Sequence, residues 1–368
     1  MKRIKMKRGL VLTTLILVIV ITSLIIINNI LYRDNLEPTS DSAPATGQVI
    51  SDNKFLKYFP NFFLPSRYLS GKSSVLTTKW GLVYHKNCNQ RNSESKVVVF
   101  LPGGRASAGG YKIFVRDVGD ETGLCVLGIP YDTSTPYVTC CGGRLATAIG
   151  GRLVTPILDK KCFEDYLSAQ SQSNPSSYTC INGGEEVKIP YNQSIEGLIK
   201  RAFIELNLKN FLENDGVTPI WSKVFMAGHS LGGLHSGYFG MAVHELSGIG
   251  LIGSGTFWVS LGNESFGYPD YWTGPSLTDI SNQLVFDHLY DPPTPLRGDQ
   301  YGVRGMLAEN IITTNHITPG WGPYGGCKLH WTSPGIWHNC VAHDSWIPFD
   351  DNKRSFFLPE WLRLIQYT

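Results

Sequence analysis

Three features of the sequence predict an α/β fold: a mostly parallel central sheet flanked by helices, with disulfide-stapled loop insertions. Short β-rich segments are apolar without alternation, as strands buried on both faces must be. Segments with helical periodicity fall between them, the order expected of a parallel sheet wrapped by helices. Eight cysteines, an even number, accompany the Gly-rich stretches that interrupt this order.

The chain opens with Lys2, Arg3, Lys5, Lys7 and Arg8 in residues 1–8, followed by 19 residues without a charge, Gly9 to Ile27. About that length crosses a bilayer core as a helix, and the basic flank places the N-terminus in the cytoplasm. The alternative is a cleaved signal peptide, which has a shorter apolar core and a small-residue cleavage site that Asn28-Asn29-Ile30 does not supply. The sequence therefore predicts a signal anchor at 9–27, a polar stalk at 28–52 and a domain at 53–368, extracellular or luminal. If the span is cleaved, the same domain is secreted. Without the five leading basic residues, 27 basic residues face 30 acidic ones, a net of −3. That balance excludes nucleic acid as a partner class.

Within the domain, Lys96 to Leu101 and Gly123 to Tyr131 read as buried strands, the first stopped by Pro102-Gly103-Gly104. Ser194 to Asn214 has helical periodicity through Ile195, Leu198, Ile199, Ala202, Phe203, Leu206 and Leu212. A strand at Lys223 to Ala227 and a helix at Leu231 to Leu246 follow. Further strands are predicted at Ile249 to Ile252, Leu284 to Phe286 and Asn310 to Thr313, and a last helix at Phe357 to Gln366. Two stretches break the alternation: an insertion at 132–190 and a His- and Trp-rich loop at 316–345. Both read as long loops, of the kind that are functional or locally stapled.

In an exported domain the cysteines read as disulfides, since no zinc-ligand spacing is present. Cys162–Cys180 and Cys327–Cys340 are the favoured pairs, because each closes a short loop. Asn192 and Asn263 begin N-x-S sequons.

Gly228-His229-Ser230-Leu231-Gly232 is the one G-x-S-x-G in the chain, and Gly233 extends it. It lies between a predicted strand and a predicted helix. A nucleophilic serine on such a turn projects its hydroxyl above the sheet edge, and the helix N-terminus offers N–H groups to a developing oxyanion. The GHSLGG segment resembles the elbow of the α/β-hydrolase superfamily, in its lipase and esterase branches. Together with FLPGG, IPY…CC and IWSKVFMAGHSLGG, it is also similar to a group of exported α/β hydrolases. The resemblance runs from about Val97 to the C-terminus and implies an α/β-hydrolase fold, with Ser230 as nucleophile and a chain order of serine, acid, histidine.

His235 and His244 fall in the helix after the elbow, which leaves His316, His330, His338 and His343 as bases. His343 is preferred for its place just ahead of the terminal segment, with His338 as runner-up. Asp291, in the rigid turn Asp-Pro-Pro-Thr-Pro after the strand Leu284 to Phe286, is preferred over Asp287 as the acid. Backbone N–H groups of Gly104 and Leu231 are the expected oxyanion donors. No metal or organic cofactor is called for.

The implied activity is hydrolysis of a carboxylic ester through an acyl-enzyme, on a small-molecule, lipid or polymer substrate. A serine peptidase or acyltransferase would use the same groups, and a non-catalytic binding or structural surface protein would keep only the fold. Trp258, Tyr268, Tyr271, Trp272, Trp321, Tyr324, Trp331 and Trp337 are candidates to line an apolar pocket. They are equally candidates for packing that supports the loops.

Overall fold

A computed structural model of the chain describes residues 74–89, 96–133, 140–145, 156–172, 177–181, 184–256, 259–262, 265–289, 291, 300–315, 338–344, 346–350 and 354–366. All lie in the unit Gln48–Thr368. The predicted basic N-terminus, apolar span and stalk fall outside these residues. Among the described residues no helix is long and apolar enough to cross a membrane.

The main sheet has eight strands: β1 (Val75–Thr77), β2 (Val83–His85), β3 (Val97–Leu101), β4 (Cys125–Gly128), β5 (Val224–His229), β6 (Gly248–Ile252), β7 (Gln283–His288) and β8 (Ile311–Thr314). Their spatial order is β1-β2-β4-β3-β5-β6-β7-β8. From β4 to β8 all neighbours are parallel, and β2 alone runs against both of its neighbours. The unbroken apolar runs have a direct cause. In β3, Val97, Val99 and Leu101 enter one core, while Val98 and Phe100 enter the core on the opposite face. A strand alternates its side chains between faces, so burial on both sides demands apolar residues throughout.

Helices α1 (Lys112–Thr122) and α5 (Leu358–Leu364) cover one face through Ile113, Phe114, Val118, Trp361 and Leu364. Helices α2 (Lys160–Gln172), α3 (Ile195–Glu205) and α4 (Leu231–Tyr238) belong to the other core, through Phe163, Tyr166, Ile199, Phe203 and Leu234. The predicted sheet flanked by helices is present.

Several predicted boundaries move. The helix expected over 194–214 ends at Glu205, because Asn207 turns to φ 55°. The periodicity continued past it since Leu208, Phe211 and Leu212 remain buried against the same core. Ser194 caps that helix, its hydroxyl accepting from the Gly197 N–H at 3.2 Å. The helix expected to reach Leu246 gives way after Tyr238 to one π-turn, Phe239–Val243, and His244 is extended.

The insertion is more regular than expected. It contains α2 and the strands Gly142–Leu145 and Pro156–Asp159, which pair with Val259–Gly262 and Ser265–Gly267 in a second sheet. A hairpin, Ser177–Thr179 with Glu186–Lys188, completes it. The predicted Cys162–Cys180 disulfide is overturned. Cys141 pairs with Cys162 and Cys140 with Cys180, while Cys88 pairs with Cys125. Cys162 opens α2, and the ten residues of helix beyond it carry the chain about 15 Å away. The adjacent cysteines 140 and 141 instead staple the helix and the hairpin to one point. Cys340 is disulfide-bonded, and its favoured partner, Cys327, lies outside the described residues.

Candidate active site

Ser230 follows β5 directly and precedes α4, at φ 53° and ψ −117°. That backbone position is sparsely populated for a residue with a side chain and costs about 1–3 kcal/mol. The surrounding glycines make the turn possible. A Cβ on Gly228 would stand 2.2 Å from the Gly232 carbonyl carbon, and one on Gly232 would stand 2.1 Å from the Leu101 oxygen. Neither clash is relieved by a rotamer change, so the two glycines of the motif answer to the crossing of strand, helix and the β3 turn. The Ser230 N–H donates to the Ile252 oxygen at 2.9 Å and the Gly253 N–H to the Phe286 oxygen at 2.9 Å. The carboxyl ends of β5, β6 and β7 therefore stay in register around the serine.

Asp291 is buried just after β7, and its Oδ2 accepts from His338 Nδ1 at 2.8 Å. This bond fixes the tautomer: with the proton on Nδ1, Nε2 keeps its lone pair. The His338 side chain retains 24% of its exposure, against 2% for Asp291. The imidazole lies over Gly253, where a Cβ would stand 3.4 Å from the ring. His338 comes after β8, so the order serine, acid, histidine is kept at the carboxyl edge of the sheet.

It is His338, not the preferred His343, that the structure pairs with Asp291. The turn between them explains the choice. Asp344 accepts from the Lys112 and Ile113 N–H groups at 2.8 and 3.0 Å, capping α1, and its own N–H donates to the Gly110 oxygen. This cap draws His343 against Gly110 and edge-on to Tyr111, ring centroids 5.3 Å apart. Burial there lowers the His343 pKa to about 4, and burial raises Asp344 to about 7. His316 and His330 lie outside the described residues. Asp287 is buried in β7, where its Oδ2 accepts from the Tyr301 hydroxyl at 2.6 Å.

Gly104, one of the two expected oxyanion donors, lies beside the side chain of the other, Leu231. A Cβ on Gly104 would stand 3.7 Å from Leu231 Cδ2. The N–H groups on either side of Gly104 are engaged, Gly103 with the Tyr111 hydroxyl at 3.0 Å and Arg105 with the Thr133 oxygen at 3.0 Å. Of the aromatic candidates, Tyr271 and Trp272 are packed inside. Tyr271 shares a 2.8 Å bond with the Thr256 hydroxyl, and Trp272 Nε1 donates to the Gln300 oxygen. Tyr268 is half-buried against the same core. Trp258, Trp321, Tyr324, Trp331 and Trp337 lie outside the described residues.

Sequence reasoning missed Tyr111 and gave His229 no role. The Tyr111 hydroxyl is 2.9 Å from His229 Nδ1, and His229 Nε2 is 2.7 Å from the His338 backbone oxygen. The available signal was the position of His229 inside the motif.

This is an α/β-hydrolase fold. The strand order and the strand–turn–helix crossing at Ser230 match that fold. No protein-family model and no curated protein matches the chain. Solved structures similar to it include the Francisella virulence factor BioJ, at 11% identity over 80% of this chain and 84% of that one, TM-score 0.39. A Bacillus cereus carboxylesterase is 12% identical over 69% and 89%, TM-score 0.30. MGS-M1, an α/β-hydrolase enzyme from a Medee basin deep-sea metagenome library, is 11% identical over 77% and 92%, TM-score 0.34. At these scores the likeness says nothing about substrate or mechanism.

Proposed function

We propose that the protein is a serine hydrolase that cleaves a carboxylic ester, with Ser230 as nucleophile, His338 as general base and Asp291 as its orienting acid. The observation that carries this reading is the 2.8 Å bond from His338 to buried Asp291, in a domain whose one G-x-S-x-G serine is held at φ 53°. A serine is a weak nucleophile until a base takes its proton, and the base needs a fixed tautomer.

His338 Nε2 takes the Ser230 proton as Oγ bonds to the ester carbonyl carbon. The oxyanion so formed is held by the Gly104 and Leu231 N–H groups. The C–O bond then breaks, and the leaving alcohol takes the proton from Nε2–H. Water, activated by the same nitrogen, attacks the acyl-enzyme and releases the acid, restoring Ser230. An amine or alcohol acceptor in place of water would make the same site a transferase.

The proposal includes a domain outside the cytosol, behind an anchor at 9–27 as the sequence predicts. Seven described cysteines are all in disulfides, which a reducing cytosol disfavours. The test is labelling of the full-length protein by a fluorophosphonate probe, together with hydrolysis of short-chain esters. Wild type is expected to label and turn over, and Ser230→Ala to do neither. An unlabelled, folded wild type would contradict the proposal.

A further inference from the structure

The residue next to the nucleophile carries a hydrogen-bond chain that the triad does not use. The His229 ring is buried between two loops, and each nitrogen has a partner on a different one: Nδ1 meets the Tyr111 hydroxyl at 2.9 Å and Nε2 the His338 backbone oxygen at 2.7 Å. The Tyr111 hydroxyl also accepts from the Gly103 N–H at 3.0 Å.

With a neutral imidazole, donors and acceptors allow one arrangement of protons. A carbonyl oxygen only accepts, so His229 Nε2 carries the hydrogen and donates to His338. Nδ1 then offers a lone pair, and the Tyr111 hydroxyl donates to it while accepting from Gly103. Every group in the chain is satisfied with a neutral imidazole and a neutral phenol. Burial raises the Tyr111 pKa far above neutrality, so the phenol keeps its proton.

We propose that His229 is a positioning residue, tying the backbone of His338 to the Gly103-Gly104 turn so that base and oxyanion donors are held to the nucleophile as one unit. This rests on the triad reading above and adds a residue to it. His338 is thereby fixed at two points: its ring by Asp291 and its carbonyl by His229. The His229 and His338 rings also lie tilted against each other at 4.8 Å, and both border Gly253. The fit on the other side leaves no slack, since a Cβ on Gly103 would stand 2.9 Å from the Tyr111 hydroxyl and 3.0 Å from His229 Nδ1. A buried histidine satisfied only for stability needs no such placement. Here both partners flank the elbow, and displacements near 1 Å in such a constellation cost about a hundredfold in rate.

The deciding variant is Tyr111→Phe in the full-length protein. It removes one hydroxyl and keeps the ring contacts with Phe100 and His343. Ester hydrolysis is measured first for wild type and Ser230→Ala; absence of Ser230-dependent turnover would overturn the triad reading and this proposal together. With that turnover established, Tyr111→Phe is expected to lower kcat by about tenfold to a hundredfold with KM within about twofold. His229→Gln, which keeps an N–H donor, is expected to retain more kcat than His229→Leu. Combining Tyr111→Phe with His229→Leu should cost no more than His229→Leu alone, because both act through one chain. A Tyr111→Phe protein with kcat within about twofold of wild type would overturn the proposal and leave the triad standing. Should His229→Leu fail to fold, Tyr111→Phe decides alone.

Discussion

Ser230 occupies a backbone position that an L-residue holds at a cost of about 1–3 kcal/mol, between Gly228 and Gly232, where no Cβ fits. Glycine adopts positive φ without that penalty, at the expense of some unfolded-state entropy. Ser230→Gly is therefore expected to raise stability by about 1 kcal/mol in denaturant melts while abolishing hydrolysis. A destabilised Ser230→Gly would show that the strain is not stored at this residue. His343 makes a second residue-scale case. Its folded pKa of about 4 lies below the ordinary 6.5, so the unfolded chain binds the proton first as pH falls. The stability contributed by burying the neutral ring is full above pH 6.5 and is lost as pH falls through about 4. His343→Gln removes the titration, so wild type should lose about 2 kcal/mol more than the variant between pH 6.5 and 4. Equal losses in the two proteins would place the His343 pKa near its ordinary value.

At the scale of elements, what was legible in the sequence is what a strand or turn declares locally. β3, β4, β5, β6 and β7 were legible because burial on both faces favours apolar runs, as Val97 to Leu101 shows. The elbow was legible because its glycines are demanded by contacts within a few residues and with one adjacent turn. Helix α1 escaped notice: it follows directly on the Gly-rich run before Lys112, and its N-terminus is capped by Asp344, 231 positions from Ile113. No local signal announces such a cap. Helix α2 was hidden inside a Gly- and Ser-rich insertion, and its anchoring depends on Cys141 rather than on the nearest cysteine in sequence. Choosing between His338 and His343 required the same long-range information. The two are five residues apart, and only the α1 cap and the His229 bond decide which imidazole meets Asp291.

At the scale of the whole molecule, the parallel sheet gathers residues from distant parts of the chain at one edge. Ser230 follows β5, Asp291 follows β7 and His338 follows β8, while Gly104 arrives from the turn after β3. The hydrogen bonds from Ser230 to Ile252 and from Gly253 to Phe286 prolong the strand register up to the site. Three described disulfides close separations of 37, 40 and 21 residues. Two of them hold the insertion, so the frame around the site is braced covalently as well as by packing. On the proposed mechanism, this frame makes His338 the base for Ser230. The most direct measurement is short-chain ester hydrolysis by full-length His338→Ala beside His343→Gln. Turnover is expected to fall by at least about a thousandfold in His338→Ala and to stay within about tenfold of wild type in His343→Gln. The reverse pattern, an active His338→Ala and a folded but inactive His343→Gln, would contradict it.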